Sequence, residues 1–134
     1  MRLMIVWLSV AISTNLIMIG AQTEDGVVLA GQRWLSLVDE QKYEESWNQA
    51  SSMFRNEVTK EQWITALKRS REPLGAVASR TRTRLEFSKA LRGAPDGDYA
   101  IIHFSTTFNG KSATERLTLT KEEGKWQMAA YGIY

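Results

Sequence analysis

The eleven residues Asp98 to Phe108, DYAIIHFSTTF, constrain this chain more than any other stretch, because their side chains alternate in character and they exit through Asn109-Gly110. Such a run reads as the central strand of an antiparallel sheet. Successive side chains point to opposite faces, so Ala100, Ile102, Phe104, Thr106 and Phe108 share one face while Tyr99, Ile101, His103, Ser105 and Thr107 share the other. A two-residue type I′ turn at Asn109-Gly110 sets Phe108 opposite Lys111, hence Phe104 opposite Glu115, Ile102 opposite Leu117 and Ala100 opposite Leu119. A second turn through Lys121 to Gly124 sets Thr120 opposite Lys125, and with it Trp126 opposite Leu119, Met128 opposite Leu117 and Ala130 opposite Glu115. Three strands then agree on one apolar face, which a slip of a single residue would turn to water.

The 134 residues suffice for one domain, and 43% hydrophobic with 24% charged residues is ordinary for a globular protein. A formal charge of +2 gives no reason to expect nucleic acid as a partner. The absence of cysteine excludes disulfides, thiol catalysis, thiolate metal sites and a lipid-modified cysteine. No metal or cofactor motif is legible, so none is expected.

The chain opens MRLMIVWLSVAISTNLIMIGAQ, with one early cation, an apolar run from Leu3 to Ile19 and the small pair Gly20-Ala21. This pattern is that of a secretory signal over residues 1–21, followed by a single domain over 22–134. An uncleaved anchor is the alternative, since the run approaches the roughly 20 residues that span a bilayer, although Ser9, Ser13, Thr14 and Asn15 weigh against it. Val27, Ala30, Trp34, Leu37 and Val38 have helical spacing, and Tyr43, Ser46, Trp47, Ala50, Met53 and Phe54 form a second helical stripe. Thr59 to Gln62 has the form of a capping box, with Val58 and Trp63 as its hydrophobic staple, and opens a third helix carrying Trp63, Ala66 and Leu67 inward. Glu72-Pro73-Leu74-Gly75 ends that helix. Arg80 to Leu91 alternates as the first strand, and Gly93 to Gly97 connects it to the central one.

Three helices followed by four antiparallel strands form an α+β pattern with the helices on one face of the sheet. The order Trp34-Leu-x-Leu, Asp39 to Tyr43, Ser46-Trp47-x-x-Ala50, Phe54, Trp63, Arg71-x-Pro73-Leu74-Gly75, Arg80, Gly97-x-Tyr99, Thr107-Phe108, Glu115, Gly124-x-Trp126 and Gly132 resembles the bacterial domain of unknown function 4019. That resemblance covers nearly all of residues 22–134. The element order also looks like the nuclear transport factor 2-like, or cystatin-like, cone, a curved sheet wrapped around helices that often encloses a pocket. Together these resemblances imply an exported location, periplasmic or secreted, and a fold. They supply no activity, because cone folds include isomerases, dehydratases and non-catalytic binding domains.

One residue stands out as a candidate for catalysis. Glu115 falls on the apolar face among Phe104, Leu117 and Ala130, where desolvation would suit a general acid or base. The structural reading, preferred here, pairs it instead with an arginine such as Arg71 or Arg80. The candidates for ligand binding are Arg80, Arg82 and Arg84, expected as a cationic row on one face of the first strand, with Tyr99 and His103 on the outer face of the second. Such a row could equally protect an edge strand without any ligand. Of the five tryptophans, Trp7 lies in the signal, and Trp34, Trp47, Trp63 and Trp126 fall on stripes expected to be buried.

Two function classes are open. The favoured one is an exported, non-catalytic module that binds a small molecule or an envelope protein, with a homodimer through the sheet as one arrangement. The alternative is a small cone-fold enzyme of isomerase or lyase type using Glu115, with Tyr99 or Tyr131 as proton donor. Parity argues against the enzyme, since it places both tyrosines on the face opposite Glu115.

Overall fold

A computed structural model describes residues 16–134, with side chains from Glu24 onward. The expected export signal falls for the most part outside the described residues. Helices α1 (Leu16–Asp39), α2 (Tyr43–Asn48), α3 (Ser52–Glu57) and α4 (Lys60–Arg71) come first, followed by a short 3-10 turn (Glu72–Leu74). Strands β1 (Val77–Ser88), β2 (Tyr99–Phe108), β3 (Lys111–Glu122) and β4 (Lys125–Ile133) then form one antiparallel meander in the order β1-β2-β3-β4. The α+β class is therefore as the sequence implies. No helix among the described residues is long and apolar enough to cross a membrane.

Local chemistry explains most of the helix boundaries. Thr59 Oγ1 accepts from the Gln62 amide at 3.2 Å while Gln62 Oε1 accepts from the Thr59 amide at 3.0 Å, which is the capping box that starts α4. Pro73 enters the 3-10 turn, and Gly75, at φ 78°, redirects the chain into β1. The stripe expected to form one second helix is broken in two. Ser51 caps α3 through its hydroxyl, and its amide donates to the Met128 carbonyl at 2.8 Å, so the chain between α2 and α3 is tied to β4 instead of continuing the helix. On α4 the buried stripe is Trp63, Leu67 and Arg71, with Ala66 turned to solvent.

The β2–β3 register is the expected one throughout, from Phe108 opposite Lys111 to Phe104 opposite Glu115 and Ala100 opposite Leu119. Asn109 (φ 37°) and Gly110 (φ 83°) make the turn. The β3–β4 register differs. Glu123 (φ 49°) and Gly124 (φ 77°) form a two-residue turn, so Glu122 faces Lys125, Lys121 faces Trp126 and Leu119 faces Met128. A glutamate is an unusual occupant of the left-handed region, and for that reason the turn is not evident in the sequence. Ala129 is then an extra residue in β4, a bulge after which Thr118 faces Ala130 and Leu117 faces Tyr131. Ala130 is consequently exposed and not on the core face.

A second bulge, at Thr83, alters β1. Arg82 faces Phe104, yet Arg84 faces His103, so Arg80 and Arg82 lie on the core face with Leu85 and Phe87, and Arg84 lies on the outer one. The expected row of three arginines on one face is thus corrected. The core is made of Val27, Trp34, Leu35 and Val38 of α1, Phe54, Trp63 and Leu67 of the shorter helices, and Ile102, Phe104, Leu117, Leu119 and Met128 of the sheet. Gly31 permits the close approach of α1, since a Cβ there would stand 3.1 Å from both Ile102 Cδ1 and Leu117 Cδ2. Trp34 and Trp63 are buried, whereas Trp47 and Trp126 are only partly so.

Phe104 is 1% exposed, so Phe104→Ala should cost about 3–5 kcal/mol in chemical denaturation. Trp126, at the open end of the sheet against Phe87, should cost distinctly less on truncation to alanine. Equal losses at the two positions would contradict the observed β3–β4 register.

Candidate functional site

The residues best placed for chemistry converge on Glu115, which is wholly buried. Four elements supply its surroundings. Arg80 of β1 donates from Nε to Glu115 Oε1 at 2.7 Å, and Thr106 of β2 donates from Oγ1 to the same oxygen at 2.5 Å. The Tyr131 hydroxyl of β4 donates to Oε2, and Arg71 Nη1, at the end of α4, lies 3.7 Å from that oxygen. Asp39 closes the set. It accepts from Arg80 Nη1 at 2.7 Å and Nη2 at 2.9 Å, in a bidentate arrangement, and from Arg71 Nη2 at 2.7 Å.

Two carboxylates are therefore matched by two guanidiniums, with neither kind left in excess. Asp39 ends α1, where a negative charge opposes the helix dipole and no basic residue lies in the last turn. Arg71 and Arg80 supply that compensation from outside the helix. Arg71 also lays its guanidinium over the Phe108 ring, 4.9 Å from the centroid, while its Nε has no hydrogen-bond partner among the described residues.

The electrostatics follow from this packing. Burial acts to raise the Asp39 carboxyl, but hydrogen bonds from Arg80 and Arg71 overcome it and leave the group below its ordinary 3.8. Burial, followed by the negative charge of Glu115, pushes the Tyr131 phenol far above its ordinary 10.0. Arg80 is raised despite burial, because it holds both acids. Tyr131 is thus a stably protonated donor to Glu115 at neutral pH, and a reluctant acid.

Sequence parity set Tyr131 on the face opposite Glu115; the Ala129 bulge reverses that, and the hydroxyl meets the carboxylate directly. Asp39 and Thr106 were not anticipated. Arg71 and Arg80, the two arginines expected to pair with Glu115, both do so, and Arg71 falls eight residues after Trp63 on the same buried stripe as Leu67. The remaining candidates are dispersed. Arg82 is 3.4 Å from Glu24, Arg84 pairs with Glu86 on the outer face, and His103 lies on that face between Arg84 and Arg116 in the neighbouring strands. Tyr99 is buried beneath the β1–β2 connection, its hydroxyl donating to the Pro95 carbonyl at 2.5 Å.

Fold and site together define an α+β protein whose helices are joined to one face of an antiparallel sheet by a buried ionic network. Residues 30–131 match the family described as protein of unknown function (DUF4019), and the chain belongs to that family. No curated protein matches it.

Removing one member of a buried charge set leaves its partner uncompensated, so Glu115→Gln and Glu115→Leu should each destabilise the fold by about 3–5 kcal/mol. A thermal midpoint at or above that of the wild type would instead indicate a carboxylate held under strain for catalysis.

The pH dependence has two limbs. Asp39, depressed in the fold, contributes stability that is complete above about pH 4 and lost as pH falls through its lowered value. Tyr131, raised in the fold, contributes stability that is complete below about pH 10 and lost as pH rises through its raised value. Melting midpoints should accordingly be level near neutrality, and Tyr131→Phe should flatten the alkaline decline.

Proposed function

We propose that this chain is an exported, non-catalytic binding module built on a cone of the nuclear transport factor 2-like type. The observation that carries the reading is the state of Glu115. Both of its oxygens are engaged, and the volume beside it is filled by Arg80, Thr106 and Tyr131. A general base needs a lone pair directed at substrate and room for the substrate to approach. Glu115 has neither. The bulges at Thr83 and Ala129 favour a curved sheet, in keeping with a cone.

The enzyme reading gains one point, because a carboxylate and a phenol do meet at Glu115 and Tyr131. It loses more, since the phenol is held protonated far above neutrality and Arg80 fills the substrate's place. A small cavity of about 120 Å³ touches the network at Asp39 and Arg71, beside Tyr43 and Gly75, but does not reach Glu115, and the larger concave spaces lie around the rim of the sheet. One groove of about 920 Å³ runs between α3, the Leu91–Pro95 segment and the outer face at Arg116, Ala130 and Tyr134. Another cavity opens between α1 and β4.

Export rests on the N-terminal apolar run and its small-residue end. Intact-mass measurement of the exported protein should give a chain starting at Gln22. Recovery of residues 1–21 on protein in the membrane fraction would establish an anchor in place of a cleaved signal.

A further inference from the structure

The cavity between α1 and β4, about 440 Å³ in volume, is built unlike the rest of the surface. One wall is the α1 face carrying Ala30, Arg33 and Trp34, residues three and four positions apart that point the same way. The opposite wall is β4 from Lys125 to Met128, and the end is closed by Asn48 and Gln49 at the C-terminus of α2. Leu119 and Met128, both fully buried, supply an apolar floor, and the half-buried Trp126 ring supplies a flat side.

The charged side chains lining this space are both cations, Arg33 and Lys125, and the amides of Asn48, Gln49 and Gln127 carry donors and acceptors alike. None of the side chains lining it is acidic, while Arg33 and Lys125 have no ion-pair partner among the described residues. Of the carboxylates on the adjoining elements, Glu45 accepts from Gln49 Nε2 at 2.8 Å, and Glu122, opposite Lys125 across the hairpin, accepts from the Ser52 amide at 2.6 Å, so neither is ion-paired with Arg33 or Lys125.

The main chain contributes as well. The two-residue turn makes Glu122 and Lys125 the closing pair, which directs the main-chain groups of Lys125 and Gln127 toward β3 and those of Trp126 and Met128 toward the free edge. The Met128 carbonyl confirms the direction, because it accepts from Ser51 at that edge. The Trp126 amide is an edge donor on the side where the cavity lies.

We infer that this cavity is the ligand site, and that it takes a small organic anion with a flat apolar body, the anionic group held by Arg33 and Lys125 and the body laid against Trp126. The inference rests on the binding-module reading and specifies its ligand class. A cavity of this size with an apolar floor and a few convergent polar groups matches small-molecule sites in general. Arginine beside an aromatic wall suits a planar carboxylate in particular.

Titration of the full-length protein with 2-naphthoate, followed by two-dimensional NMR, tests the assignment. The Trp126 indole signal and the Gln127 amide should shift in a saturable way, with a dissociation constant below about 1 mM. The neutral isostere 2-naphthylmethanol and the double variant Arg33→Gln/Lys125→Gln should each bind at least about tenfold more weakly, the factor that loss of a charge-assisted hydrogen bond implies. Both altered side chains are exposed, so an unchanged melting midpoint should accompany the loss. Equal binding of the neutral compound, or binding unaffected by the double variant, would overturn the assignment. Shifts confined to Arg116, Ala130 and Tyr134 would overturn it too, while leaving the binding-module reading in place. That reading fails by a different result, a stabilised Glu115→Gln variant.

Discussion

The structure depends on the burial of one carboxylate. Glu115 has no solvent exposure, and an ionised carboxyl in that position is costly unless every lone pair has a partner. Its partners come from β1, β2, β4 and the end of α4, and Asp39 at the end of α1 completes the balance. Helices and sheet are thereby fixed to each other at one end of the core by directional contacts. The other end combines apolar packing, with Gly31 admitting α1 close to Ile102 and Leu117, with hydrogen bonds from Ser51 to Met128 and from Ser52 to Glu122.

Two single-residue insertions make that arrangement geometrically available. In unbulged strands Arg80 and Leu85 would face opposite ways, and so would Met128 and Tyr131. The extra residues Thr83 and Ala129 change the parity partway along each strand. Each strand can then present apolar side chains to the helices at one end and a polar group to Glu115 at the other. The bulges are as much a part of the ionic network as its charged groups.

This division also bears on function. A network in which two acids are held between two arginines is suited to fixing a fold and poorly suited to proton transfer. The rim is different in kind. Arg33 and Lys125 have no ion-pair partner among the described residues and stand beside an aromatic wall and an apolar floor. Binding at such a site leaves the interior undisturbed, so affinity can be tuned by exposed residues without drawing on the stability of the core.

Sequence alone determined whatever depends on short-range chemistry. The capping box at Thr59, the stop at Pro73, the Asn109-Gly110 turn and the whole β2–β3 register are set by residues within a few positions of one another. The burial of Glu115 opposite Phe104 was legible for the same reason, as was its need for an arginine. Tertiary structure decided the rest. Where a strand takes up an extra residue leaves no local mark, because Thr83 and Ala129 are ordinary strand and coil residues and the bulge is selected by what must be matched across the sheet. The left-handed Glu123, the break at Ser51 and the meeting of Asp39, Arg71, Arg80 and Tyr131 are of this kind. Each brings together groups far apart in the chain, and no periodicity within a single segment can encode the contact.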